Sequence, residues 1–95
     1  MELKVFTLPT CSVCSLAKSI ASEVAQKYGI GYREVDMATK EGLSEGNTLQ
    51  IMASPTIAID EEVIVRGRLI SKEKLEEEVK KRLDKWKARA ASQWE

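Results

Sequence analysis

No histidine occurs anywhere in these 95 residues, and there are only two cysteines. The first absence removes imidazole both as a general base and as a metal ligand. Together the two shortages exclude the usual tetrahedral zinc sets, because carboxylates are the only other common ligands left. No charge sign dominates either: fifteen basic and fifteen acidic residues give a formal net charge of zero. That balance offers no electrostatic reason for a nucleic-acid or anionic-membrane partner, and neither is expected. Long apolar runs are missing as well. The stretch from Leu3 to Leu8 is too short to span a bilayer, and it lacks the basic region and longer apolar core of a signal peptide. The cytoplasm is therefore the expected location. No internal repeat or low-complexity linker is found.

What remains is one small domain over residues 1–95, with a core at about 2–86 and a helical extension at 87–95. Its 43% hydrophobic content is ordinary for a globular chain. A chain of this size buries only roughly 60–65% of its unfolded surface, so the core must be compact.

Leu3 to Leu8 reads as a buried strand that Pro9 stops. A helix follows from about Ser12 to Tyr28, with Val13, Ala17, Ile20, Ala21, Val24, Ala25 and Tyr28 as its apolar stripe and Gly29 as its cap. Gly31 to Val35 gives a second strand ending at Asp36. Residues 40–52 carry Leu43, Leu49 and Met52 at helical spacing, while Gly42 and Gly46 lower the propensity; a short, loosely held helix is expected. Thr56–Ile59, an acidic turn at Asp60–Glu62, and Val63–Val65 form a hairpin that Gly67 ends. Ser71 caps a last helix whose stripe is Leu75, Val79, Leu83, Trp86 and Ala90, with Trp94 near its tail. The order is β-α-β-α-β-β-α: an α/β fold with a four-stranded mixed sheet covered by helices, whose first two strands are parallel through a right-handed crossover.

The two cysteines stand together as Cys11-Ser12-Val13-Cys14, after the first strand and at the start of the first helix. A helix N-terminus has unpaired N–H groups and a partial positive charge. A thiol held there is stabilised as the thiolate, the form that attacks disulfides. The pair therefore fits a site that opens and closes as a disulfide, with Cys11 as the accessible nucleophile and Cys14 as the resolving thiol. A structural staple is a poor reading in a reducing compartment. Lys18, one turn beyond Cys14, is the nearest cation in sequence, and a solvated side chain is expected for it. With no histidine between the cysteines, a strong oxidant is not expected.

Cys11-Ser12-Val13-Cys14, Ala53-Ser54-Pro55-Thr56 entering the third strand, and Gly67 followed by Ser71-Lys72 and a closing helix together resemble the thioredoxin superfamily in its short, glutaredoxin-sized form. Pro55 lies 41 residues past Cys14. The resemblance implies a cis Ser54–Pro55 bond facing the cysteines, with the Ser54 backbone pairing to an extended client segment. Pro9, Thr10, Val13 and the Gly67 region complete the expected client-binding rim. It also implies reduction of protein disulfides, disulfide-containing client proteins, and an upstream reductase of the thioredoxin-reductase type. No cofactor is expected beyond the redox-active Cys11–Cys14 disulfide, and a monomer is expected.

The departures from the pattern are specific. Thr10 replaces the tryptophan that usually precedes the first cysteine, and Val5 stands where thioredoxins bury an acid six residues before it. The acidic pair with which glutaredoxins grip glutathione is absent from Gly67-Arg68-Leu69-Ile70-Ser71-Lys72. A glutathione-dependent glutaredoxin is the alternative function, followed by a protein binding Cu(I) or an iron–sulfur cluster. Other features have plain readings. Met37, Met52 and Trp86 are expected in the core. Trp94 is expected to pack on the body, fray or join a dimer contact. Lys80-Lys81-Arg82, balanced by Glu76-Glu77-Glu78, is expected on a solvated helix face.

Overall fold

The computed structural model describes the backbone of residues 1–92 and the side chains of residues 1–85. Seven elements follow one another: β1 (Glu2–Thr7), α1 (Cys14–Tyr28), β2 (Gly31–Asp36), α2 (Lys40–Thr48), β3 (Thr56–Ile59), β4 (Glu62–Val65) and α3 (Lys72–Ser92). The order matches the sequence-based expectation. One sheet runs β2-β1-β3-β4, with β1 and β2 parallel and the other two neighbouring pairs antiparallel.

Alternation along β1 divides the core into two layers. Leu3 and Val5 point to the face covered by α1 and α3, where they pack with Ala17, Ala21, Val24, Ile57, Ile59, Leu75 and Val79. Phe6 points the other way and packs with Val35, Met37, Ile51 and Ala58 beneath α2. Three alanines on the buried face of α1 let that helix lie close to the sheet. Burying a side chain the size of Phe6 or Ile57 stabilises the fold by about 1.5–3 kcal/mol.

Expected and observed boundaries differ where local hydrogen bonds decide them. α1 begins at Cys14 rather than Ser12, because Cys11 N–H donates to Leu8 O (3.0 Å) in a turn that holds the preceding residues out of the helix. α2 stops at Thr48. Gln50 takes a left-handed φ of 58°, and Ile51 N–H donates back to Gly46 O (2.8 Å), a Schellman-type ending that turns Ile51 into the core. Met52 therefore falls outside the helix and is 97% exposed, not a core filler. Leu43 is half exposed, whereas Met37 is buried as expected. Ser71 caps α3 as expected, its Oγ accepting from Lys74 N–H (3.2 Å). Arg82 is not simply solvated: it donates to Glu62 and Glu78, tying α3 to the β3–β4 turn. The side chains of Trp86 and Ala90, and Trp94 altogether, lie outside the described residues.

The glycines of α2 were expected to weaken it. They instead let it approach the sheet. Thr39 caps the helix by accepting from Gly42 N–H (3.0 Å), and both Gly42 and Gly46 are buried. A Cβ on Gly42 would lie 1.9 Å from Asp36 O, a backbone atom with no room to move. Helix propensity alone favours Gly42→Ala by about 1 kcal/mol. The contact reverses that sign, and the variant is expected to lose about 2–3 kcal/mol in urea unfolding. An unchanged or raised midpoint would show that α2 does not need this close approach.

Candidate functional site: a disulfide at an open helix end

β1 delivers the chain to the redox pair. After Thr7, Leu8 is half-buried, Pro9 and Thr10 are exposed, and Cys11 closes the turn onto Leu8 O. Cys11 and Cys14 are joined as a disulfide, with their Cα atoms 5.5 Å apart. Their surroundings differ: Cys11 is half-buried, and Cys14, the first residue of α1, is 4% exposed. Val13 occupies the N-cap position and provides no side-chain hydrogen bond, and the first turn of α1 contains no acidic residue. No side-chain cap or carboxylate from α1 therefore offsets the positive end of its dipole beside the sulfurs.

The Ser54–Pro55 bond is cis, as the resemblance implied. Phe6 pairs with Thr56 across β1 and β3, so Ser54–Pro55 enters the sheet at the same end from which Leu8–Cys11 leaves it. Pro55 is fully buried and Ser54 half-buried, while Val13 is 38% exposed. Met52 and Ala53, just before Ser54, are exposed.

A small polar cleft opens on one side of the disulfide. It is about 320 Å³ and is lined by Thr7, Leu8, Pro9, Cys11, Cys14, Ser15, Lys18 and Asp36. None of Thr10, Val13, Ser54 or Pro55 lines it. Lys18 is half-buried along this cleft rather than fully solvated.

Thr56, Gly67 and Arg66 hold the site together; of these only the Gly67 region was expected there. Thr56 is fully buried; its Oγ1 donates to Ala53 O (2.7 Å) and accepts from Gly67 N–H (3.4 Å). One hydroxyl thus links the segment before Pro55 to the turn after β4. Gly67 has a φ of 69°, and a Cβ there would lie 2.8 Å from the Ala53 Cβ, so these two segments meet at van der Waals distance. Arg66 donates to Leu49 O (3.4 Å) and Gln50 O (2.9 Å), fixing the start of the 49–55 segment. In the sequence Thr56 carries only a β-strand signal; its position directly after Pro55 was the clue to a second role.

Thr56→Val keeps the shape and deletes the hydroxyl. It is expected to cost about 1–3 kcal/mol in urea unfolding, since Ala53 O and Gly67 N–H both lose a partner. Thr56→Ser should recover most of that loss. A valine variant as stable as the parent would remove the hydroxyl from this role.

Comparison with known proteins agrees with this geometry. Residues 1–80 match the family described as thioredoxin domain. A protein of Archaeoglobus fulgidus described as a probable thioredoxin is 32% identical over 65 residues, covering 68% of this chain and 71% of its own length. Thioredoxin 1 of Thermosipho africanus superposes with a TM-score of 0.72 at 23% identity, over 88% of this chain and 96% of that one. Oxidised thioredoxin O2 of Arabidopsis thaliana does so with a TM-score of 0.66 at 18% identity, over 84% of this chain and 72% of that one. The two structural likenesses speak for the fold alone; the matched domain and the archaeal relative go further, and the chain belongs to the thioredoxin family.

Proposed function

We propose that this protein reduces disulfides in client proteins, with Cys11 as nucleophile and Cys14 as resolving thiol. The observation that carries the reading is the unequal setting of the two sulfurs at a helix end without a side-chain cap: one reachable, one 4% exposed. The Cys11 thiolate attacks a client disulfide, forming a mixed disulfide and releasing one client thiolate. The Cys14 thiolate then attacks Cys11 Sγ, the Cys11–client bond breaks, and the second client thiolate leaves. Two electrons pass to the client, and the two protons of the dithiol end on the client thiols.

The client is held by the rim around Cys11. Val13 is exposed, Thr10 follows the turn at Pro9, and the Ser54 backbone offers main-chain hydrogen bonds to an extended segment. Recognition through main chain tolerates many side chains, which suits several clients rather than one. Met52, exposed two residues before Ser54, adds an apolar contact on the same segment, and a flexible thioether adapts to varied partners. The oxidised pair returns to the dithiol through a reductase of the thioredoxin-reductase type, in the cytoplasm. No helix among the described residues is long and apolar enough to cross a membrane.

The test has two parts. An equilibrium titration of the Cys11–Cys14 pair, read by thiol alkylation, is expected to give a midpoint near that of thioredoxin, about −270 mV. A midpoint above about −200 mV would favour glutathione coupling or isomerisation and remove the reductant assignment. Cys11→Ser is expected to abolish reduction of a protein disulfide, and Cys14→Ser to accumulate mixed disulfides visible by mass spectrometry. Full activity in the Cys11 variant would reverse the assigned roles.

A further inference from the structure

Resolution by Cys14 requires a thiolate at a sulfur whose residue is 4% exposed. Among the described residues no buried acid or base lies beneath it. Val5, at the β1 position where the superfamily resemblance would place a buried acid, is fully buried among apolar side chains. Among the described residues the buried polar side chains are Thr7 and Thr56, neither of which titrates. The ionisation of Cys14 must therefore be governed from the surface, and the polar cleft is where surface charge reaches it.

Two charged side chains line that cleft, Lys18 and Asp36. Lys18 stands one turn beyond Cys14 on the same side of α1. Its carbonyl oxygen lies 3.3 Å from the Tyr32 hydroxyl of β2, whose one hydrogen has Glu34 Oε1 (3.0 Å) as its nearer acceptor. Asp36 lies at the end of β2, with its Oδ1 accepting from Ala38 N–H (2.9 Å). Among the described residues neither Lys18 nor Asp36 is engaged in an ion pair, although ten such pairs occur elsewhere. Neither charge is thus neutralised by an ion pair among the described residues. The rest of the cleft lining adds no charge: Thr7, Leu8, Pro9 and Ser15 carry no ionisable side chain. Arg33, Glu34, Glu41 and Glu45 are the other charged residues that share a lining with Asp36, in a separate groove on the α2 side.

We propose that Lys18 is the electrostatic partner of Cys14, stabilising its thiolate as the mixed disulfide is resolved, and that Asp36 opposes it. The Cys14 thiol gives its proton to water in the cleft, the thiolate forms its bond to Cys11 Sγ, and the client sulfur departs with the electron pair of the broken bond. A cation near the thiolate raises the fraction ionised at a given pH, and an anion lowers it. In a chain without histidine and with valine at position 5, Lys18 is the cation that lines the cleft beside Cys14. The inference rests on the roles assigned to Cys11 and Cys14 above.

The experiment is stopped-flow reaction of the reduced protein with dithiobis(nitrobenzoate), whose aromatic thiol is coloured when released. The first release reports attack by Cys11. The second reports attack by Cys14 on Cys11, and its low-pKa leaving group makes the ionisation of Cys14 govern the rate. Lys18→Met is expected to slow the second release about tenfold at pH 7 and to raise its pH midpoint by about one unit. Lys18→Arg should restore most of both. Asp36→Asn should move the midpoint downward. A role confined to packing of the lysine stem would leave the midpoint in place, so an unmoved midpoint in Lys18→Met overturns the proposal. The single-cysteine variants keep the two readings apart. Cys14→Ser should retain only the first release. A first release that instead survives in Cys11→Ser would overturn the cysteine roles themselves, whatever Lys18 does.

Discussion

Antiparallel pairing of β1 with β3 puts Phe6 opposite Thr56, and from that register the position of the redox site follows. The turn that carries Cys11 leaves the end of β1, and Ser54–Pro55 enters the start of β3. The register alone makes these two segments neighbours. It is held by apolar side chains on both faces: Leu3, Val5, Ile57 and Ile59 toward α1 and α3, and Phe6 and Ala58 toward α2. A slip of one residue would turn every one of these to the wrong layer, so the burial that stabilises the sheet also fixes the site. The parallel partner β2 then brings Asp36 beside Thr7, completing the wall of the cleft.

Much of this arrangement was legible in the sequence. The strand and helix order could be read because each element carries a clean period and a clear stop: Pro9 after β1, Gly29 after α1, Ser71 before α3. The redox pair and Pro55 were legible because few residues can do their work, and the motif spacing is specific. What escaped was set by contacts between distant residues. Gly42 counted as a helix-weakening residue until Asp36 O was found where its Cβ would be. Met52 fitted the helical spacing of residues 40–52, but Gln50 in a left-handed conformation ends the helix first and leaves Met52 in solvent. Thr56 looked like an ordinary strand residue because hydrogen bonds to Ala53 and Gly67 have no local signature.

Formal neutrality hides an uneven distribution of charge. Many of the ion pairs gather away from the disulfide. Glu2, Lys4, Arg33 and Glu45 link β1, β2 and α2; Lys27–Glu76 and Lys72–Glu23 link α1 to α3; Arg82 joins Glu62 to Glu78. Hydrogen bonds from Arg82 hold the Glu62 and Glu78 carboxyls below their ordinary range. Surface ion pairs contribute little to stability, so these position elements more than they hold the fold together.

The redox end is different: the two charged side chains that line its cleft, Lys18 and Asp36, form no ion pair among the described residues. Thiolate stability there depends on the N-terminal dipole of α1 and on whatever ions reach the cleft. A buried carboxylate could instead take the Cys14 proton directly, but it would itself need partners in a core where Val5 packs against apolar neighbours. Replacing it by a valine keeps a small core dry and moves control of the second thiol to the surface. Such control is open to solvent, so salt should screen it more than it would a buried pair. A chain of 95 residues with little core to spare thus keeps its thiol chemistry tunable without placing a charge in its interior.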